Sequence, residues 1–573
     1  MTGTAWTVFQ GAVPEPMQVE ILGVLRGARG PGQDLILVQL HGVKPEYTGV
    51  ADGMSGSPVY IGGKLLGSLS YRIGQFTKDP IAGITPIEQM LEVRNLPTRD
   101  SAGETQTASA AFPRPPGATS SPATTGAPSA GGMTFQPMET PLVMSGFHPD
   151  AIRFWQQQTA GTSLEPVVAG GGPSGSASSS QPSPPSSAMH PNLEPGSAIS
   201  MQLVRGDLEV AATCTVTYID PKQLLACGHA VLNAGPVSLP MTTADVITTL
   251  ASPLDAFKIV NTGVTIGAFT EDRESALRGI FGAQARMIPV YIDVDAPTGP
   301  RKLNVEILDL PSLTPVAVQA VLYESLIETN EGSASLSYHL TGNIDVADLP
   351  PLPLNLWASA GDTTPAPLQV SLLAGEHFAR LYANSARRGL IRGIDLHIEA
   401  IPRHVQVTLV QARIVSSDIV HAGDTFEVEA TLRPWQQPER NVRIAVKLPP
   451  RLAEGNLRLL VSDAATLDRT LRQPRLSAPP ADLDAVLAEA RNQHPADRIY
   501  VSLLAPEAQA EINGQTLTSL PLSVANALEP LRNAQDAGLN GESAELAGEA
   551  SAGGVLKGFQ ILSLHIEQGG GLH

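Results

Sequence analysis

The sequence predicts a mainly β protein. Glycine and proline are too abundant for a helix-dominated chain, with 53 Gly and 49 Pro in 573 residues. Hydrophobic residues reach 42% while charged residues stay at 16%, so apolar runs are frequent. Those runs are short, rich in Val, Ile, Leu and Thr, and bounded by turn residues, which is strand patterning. A chain of this length exceeds a single core and implies about two to four compact units.

Residues 1–95 open the series with VEILGVL, DLILVQL, SPVYI and KLLGSLSYRI, and close on the helical stretch TPIEQMLEV. Residues 96–197 follow as a linker whose two stretches, 97–132 and 170–197, are rich in Ser, Pro, Gly, Thr and Ala. Such a composition buries too little apolar surface to offset chain entropy, so both are expected to be disordered. An ordered piece near 140–160 interrupts them: PLVMSGF as a strand and HPDAIRFWQQQ as a helix starting near Pro149 and Asp150.

Strands resume over 198–295 with SMQLVRG, LEVAATCTVTYI and LLACGHAVL, and DPKQ supplies a turn with Pro221 at its second position. An accessory β-rich domain is expected at 296–400, from RKLNVEILDL, VAVQAVLYESLI, SASLSYHLTGNIDV and IDLHIEAI around the helix GEHFARLYANSARRG, which Gly389 would end. Short alternating strands over 401–475 suggest an immunoglobulin-like sandwich. Residues 476–573 mix a helix (ADLDAVLAEARNQ), strands and a flexible Gly/Ala-rich tail.

A net charge of −18 without a basic block removes the electrostatic footprint of nucleic-acid binding. No apolar run reaches the roughly 20 residues that span a bilayer as a helix, so no integral membrane segment is expected. The N-terminus lacks the basic and apolar regions of a signal peptide, yet Thr4, Trp6, Val8 and Phe9 already read as a core strand. A start placed downstream of the true one and a cytoplasmic protein beginning at its first strand both account for this.

GMSGSP is the segment best suited to carry chemistry. A serine hydroxyl is a weak nucleophile and needs a tight turn, free backbone N–H groups for an oxyanion and a nearby base. Gly53, Gly56 and Ser57 flank Ser55, and Pro58 starts a strand. Ser57 is the competing nucleophile, and a plain Gly/Ser turn in a β domain is the reading without chemistry. For the base, histidine is the default, and His229, one of 12, stands out in LLACGHAVL. A core or turn histidine is its plain reading.

GMSGSP with the hairpin PVYI, Gly62-Gly63 and KLLGSLSY resembles the strand pair after the GDSGGP nucleophile of chymotrypsin-like peptidases. Met54 and Ser57 in place of Asp and Gly, with the IGGKLLG run, resemble the SpoIVB peptidase family. TVTYIDPKQLLACGH is similar to that family's TxxFxxPxxxxxxALGH pattern. The resemblance implies a chymotrypsin-like double β-barrel built from two half-domains, 1–95 with the serine and 198–295 with the histidine. Family members place His before Ser, so this chain has the order a circular permutation would produce. A linker of about a hundred residues spans the two easily.

On that resemblance the N–H groups of Gly53 and Ser55 form the oxyanion hole. The strand Ser70, Tyr71 and Arg72 pairs with substrate backbone by β-addition. The acid is less readable, because the family's Asp position here holds Leu40 and His41. Asp34 in GQDLILVQL resembles the segment carrying the triad acid in chymotrypsin-like enzymes; a turn residue before a strand is the alternative. Asp52 is close in sequence but is expected to sit in the serine turn itself, and Asp245 and Asp272, downstream of His229, are lesser candidates.

Cys214 and Cys227 lie with equal parity on the two arms of the DPKQ hairpin, so a disulfide and two buried thiols are both open. A Cys227 nucleophile is disfavoured, because no oxyanion-forming small residues surround it. No Cys/His spacing suggests zinc, and no metal or organic cofactor is implied. The expected function is that of a serine endopeptidase acting on protein or peptide substrates outside the cytoplasm. The family's customary PDZ domain is not recognisable. The rival is a non-catalytic envelope or scaffold binding protein on a degenerate peptidase-like fold.

Overall fold

The computed structural model describes residues 1–73, 79–97, 135–160, 164–168, 193–252, 256–327, 336–360, 364–382, 390–415, 419–450 and, with short gaps, 452–567. It is mainly β, and the chain divides into two compact units, residues 1–287 with 305–313, and residues 288–304 with 314–573.

The first unit begins with β1 (Thr2–Thr7), β2 (Glu15–Gly30), β3 (Gln33–His41), α1 (Val43–Thr48), β4 (Pro58–Ile61), β5 (Lys64–Ile73), β6 (Ile81–Pro86) and α2 (Ile87–Arg94). The strands pair in the order β4-β1-β2-β3-β6-β5, and β5 returns to β4, which closes a six-stranded antiparallel barrel. Alternation along each strand sends Ala5, Val19, Val38, Leu40, Val59, Leu69 and Ile84 into one core. The next elements are β7 (Phe135–Pro137), β8 (Thr140–Ser145), α3 (Pro149–Gln158) and β9 (Leu164–Val168). His148 caps α3 through its Nδ1, which accepts from the Asp150 amide at 3.2 Å, and Pro149 opens it where no N–H is needed.

A second barrel follows, made of β10 (Ala198–Gly206), β11 (Glu209–Ile219), β12 (Gln223–Ala226), β13 (Gly235–Leu250), β14 (Phe257–Arg273) and β15 (Ala276–Phe281). Its order is β10-β13-β14-β15-β12-β11 with β11 returning to β10, again closed. β8 joins the outer side of β11, and β9 runs parallel beside β8. Nearly every residue of β11 is buried. One of its faces fills the barrel, and the other packs on the turn that carries Ser55.

In the second unit, strands Leu352–Ala358, Ser337–Val346, Ile391–Ile401 and Met287–Ala296 form a sheet, accompanied by helices Thr314–Ile327 and Ala366–Tyr382. The segment VAVQAVLYESLI, expected as a strand, is the body of the first helix. The helix is buried on nearly all sides, so its apolar run has no 3.6-residue period to betray it. Two further sheets, one holding Gln406–Ile414, Thr425–Pro434 and Arg440–Lys447 and the other Gly455–Ser462, Arg498–Ala505 and Phe559–Glu567, share the core of Val428, Ile444, Leu459, Val501 and Leu564. The strands of these two sheets run from Gln406 to Glu567, on both sides of the boundary expected at residue 475. Nearly all of the two low-complexity stretches, Gly389, most of ADLDAVLAEARNQ and the final tail lie outside the described residues; the end of the second stretch, 193–197, is instead ordered, with the Gly196 amide donating to Val216 O at 2.8 Å.

Candidate functional site

Ser55 sits in the turn between α1 and β4, held by both barrels. Within the turn, the Met54 amide donates to Ala51 O at 3.1 Å and the Ser57 amide to Met54 O at 3.0 Å, while the Gly56 amide donates to Leu69 O at 2.7 Å. Gly53 and Gly56 adopt φ of +90° and +95°, which only glycine takes without strain. From the second barrel, Thr215 Oγ1 donates to Gly53 O at 2.9 Å and Thr217 Oγ1 to Gly56 O at 2.6 Å. The Thr215 amide donates to Ser55 O at 2.8 Å. These two threonines were not singled out in the sequence, although their alternate spacing on a strand aims both at one face.

The backbone donors divide cleanly. Met54, Gly56 and Ser57 spend their N–H groups inside the protein, and no hydrogen bond from the Gly53 or Ser55 amide is found among the described residues. The hydroxyls divide too, since Ser57 Oγ donates to Met54 O at 2.6 Å while Ser55 Oγ is buried and has no partner among the described residues. Ser55 thus has the unspent hydroxyl.

His229 follows a tight passage at the end of β12. Cys214 and Cys227 form a disulfide, so the sequence's open alternative of two thiols is not what the structure holds. Cys227 and Gly228 take φ of +66° and +73° in succession, a left-handed pair that costs a non-glycine residue about 1–2 kcal/mol. The disulfide, the Cys227 amide on Thr215 O at 3.2 Å, and Thr85 Oγ1 on Gly228 O at 2.7 Å hold it there. Gly228 lies directly on the strand that carries Ser70, because a Cβ built on it would come within 2.1 Å of both Ser68 Oγ and Ser70 Oγ.

The imidazole is 1% exposed. Its Nδ1 lies 2.8 Å from Ala230 O, which fixes Nδ1 as the protonated nitrogen and leaves Nε2 as the lone-pair nitrogen. Nε2 has no hydrogen-bond partner among the described residues. Burial holds the pKa down to about 4, with the Ala230 carbonyl opposing the shift. The ring is therefore neutral at physiological pH.

Among the described residues no carboxylate is hydrogen-bonded to Nδ1. Asp34 lies in the β2–β3 hairpin, where its Oδ1 accepts the Gly27 amide at 2.9 Å, a turn contact of the plain kind. Asp52 accepts from Arg72 Nη1 at 3.1 Å, beside the serine turn. Asp245 is exposed on β13. Asp272 is fully buried, and its carboxylate accepts the amides of Val231 at 2.9 Å and Leu232 at 2.7 Å, immediately after His229. Burial raises its pKa against the pull of those amides. Asp272 thus fastens the loop that carries the Ala230 carbonyl, a role for an acid one step removed from the ring.

Lys258 also enters the interface between the barrels, wholly buried, with Nζ donating to Thr7 Oγ1 at 2.8 Å and to Thr215 Oγ1 at 3.4 Å. Burial lowers its pKa to about 7. The strand Ser70, Tyr71 and Arg72 lies in the second half of β5, past the end of its pairing with β4. Among the described residues no group of three or more His, Cys, Asp or Glu is arranged to hold a metal ion, and no helix is long and apolar enough to cross a membrane.

Compared with protein-family models, with curated proteins and with solved structures, the chain matches none.

Proposed function

We propose that the first unit is a serine endopeptidase of the SpoIVB type, a chymotrypsin-like double barrel in which the serine barrel precedes the histidine barrel. One observation carries this reading. Two buried side-chain atoms without partners, Ser55 Oγ and His229 Nε2, belong to segments that three hydrogen bonds and two close-packed glycines hold in the same inter-barrel interface. Orphaned buried polar atoms call for an explanation, and although others occur among the described residues, Ser462 Oγ and Ser502 Oγ included, the Ser55 hydroxyl and the His229 nitrogen share one interface.

In this reading Ser55 Oγ attacks a peptide carbonyl and passes its proton to His229 Nε2. The Gly53 and Ser55 amides hold the oxyanion, and the imidazolium returns the proton to the leaving amine. Water then repeats the sequence on the acyl-enzyme. Nδ1 donates to a carbonyl rather than to a carboxylate, so the tautomer is set but the imidazolium gains less electrostatic support. Turnover slower than that of a full triad is expected. The disulfide suits an oxidising compartment and so an extracytoplasmic site.

A non-catalytic binding protein is the second reading, favoured by the burial of Ser55 and His229 at 0% and 1% exposure. A fluorophosphonate probe decides between them. Covalent labelling of wild type, abolished in Ser55→Ala and reduced at least a hundredfold in His229→Gln, is the expected result. A folded wild type that takes no label leaves the binding reading.

A further inference from the structure

The free half of β5 is occupied by the chain itself. β7 lies antiparallel on it, with Tyr71 opposite Pro137, Arg72 opposite Gln136 and Ile73 opposite Phe135, and the Met138 amide donates to Ser70 O at 2.9 Å. Hydrogen-bonded positions alternate in an antiparallel ladder. Met138 and Gln136 occupy them, and Pro137 falls between, where its missing N–H costs nothing.

The side chains sort equally well. Gln136 and Pro137 are exposed, while Met138 is fully buried in the cluster that contains Met54, Val59 and Leu69. The Glu139 carboxylate lies 3.0 Å from Arg72 Nη2, and the other arm of that guanidinium holds Asp52. Pro141 then passes the serine turn, its Cγ 3.3 Å from where a Cβ on Gly53 would sit. Residues 135–141 therefore run extended along β5 and past the Gly53–Ser55 turn, with Thr140 and Pro141 already in β8.

We propose that the β5 edge and the pocket filled by Met138 form a peptide-binding groove, and that residues 135–141 are its resident occupant. The groove selects an extended polypeptide carrying proline, then a long unbranched apolar residue, then an acid. Backbone pairing along an exposed strand supplies affinity and the alternate side chain supplies selection. A flexible methionine fits an irregular apolar pocket, and the Arg72 guanidinium meets the acid. Tethering gives the resident segment a millimolar effective concentration, so an external chain must displace it. As a statement about substrate, this rests on the peptidase reading of the same site; as a statement about peptide binding, it does not.

Two variants test it. Met138→Asp places a charge in the apolar pocket and expels the segment. Gln136→Pro removes a ladder N–H from a residue whose side chain is exposed, so the core is untouched should the first variant fail to fold. A dye-labelled peptide of residues 135–141 is titrated into each folded variant and into wild type by fluorescence polarisation, alongside fluorophosphonate labelling.

The expected result is at least tenfold tighter peptide binding by the variants than by wild type, no binding of a peptide with Asp in place of its Met, and labelling at least tenfold faster than wild type. Absence of peptide binding by the folded variants overturns the groove even where Ser55 labels. Selective peptide binding with no label on any variant supports the groove and sinks the peptidase reading instead.

Discussion

Gly56 has no space for a methyl group: a Cβ there would sit 1.9 Å from Thr215 O, with φ at +95°. Both the backbone conformation and the neighbouring barrel forbid a side chain. Gly56→Ala is expected to destabilise the first unit by more than about 3 kcal/mol, from the left-handed backbone and a clash that only barrel separation relieves. A melting temperature equal to that of wild type would contradict the barrel packing. Gly228→Ala meets two serine hydroxyls rather than backbone, and these can rotate away, so its loss is expected to be about 1–2 kcal/mol smaller.

His229 makes a pH prediction. Its folded pKa of about 4 lies below the ordinary 6.5, so between those values the unfolded chain binds the proton and the folded one does not. Stability therefore rises with pH across pH 4 to 6.5, by on the order of 3 kcal/mol for the fully buried ring. Urea unfolding at pH 4.5 and pH 7 should show this rise in wild type and lose it in His229→Gln; an unchanged difference would place the imidazole in solvent.

Among the elements, the β11–β12 hairpin has the largest share in the site. It brings Thr215 and Thr217 to the serine turn, and the Cys214–Cys227 disulfide at its end fixes the approach to Gly228 and His229. A loop of this length gains about 3 kcal/mol from its cross-link. Replacing both cysteines with alanine should cost about that much in chemical denaturation and slow Ser55 labelling by loosening the left-handed pair. Loss of stability with an unaltered labelling rate would show that the disulfide does not position the histidine.

The same hairpin shows what could be read from the chain. GMSGSP and CGH were legible because tight turns need small residues in a fixed pattern. Thr215 and Thr217 were not, since their partners lie some 160 residues away and no local pattern records that. β7 was hidden for another reason: it is a three-residue strand containing proline, beside a low-complexity stretch, and only its docking on β5 makes it a strand. Asp34 had the right apolar strand behind it, but the hairpin claims its carboxylate. Asp272, a lesser candidate among the acids, acts on backbone amides, which leave no trace in side-chain spacing.

In the first unit as a whole, two closed barrels meet across the serine turn, with Lys258 spanning Thr7 of one and Thr215 of the other. The second barrel also takes in β8, whose approach along β5 engages the first, so the halves are joined by more than covalent continuity. Introducing a specific cleavage sequence within residues 101–130 and cutting there should leave one particle on size exclusion, with labelling of Ser55 unchanged. Separation of the fragments would show that the barrels depend on the tether.

The order of the two barrels has a consequence in time. The ribosome delivers Ser55 first, and at about 5–20 residues per second roughly ten seconds or more pass before His229 and the threonines that clasp the serine turn emerge. The half that holds Ser55 is made without His229, and the segment that lies along β5 is made before His229 as well. On the proposed reading a nascent chain carries no completed site, and by the time the two barrels can close on each other, the β5 edge already has β7 as its occupant.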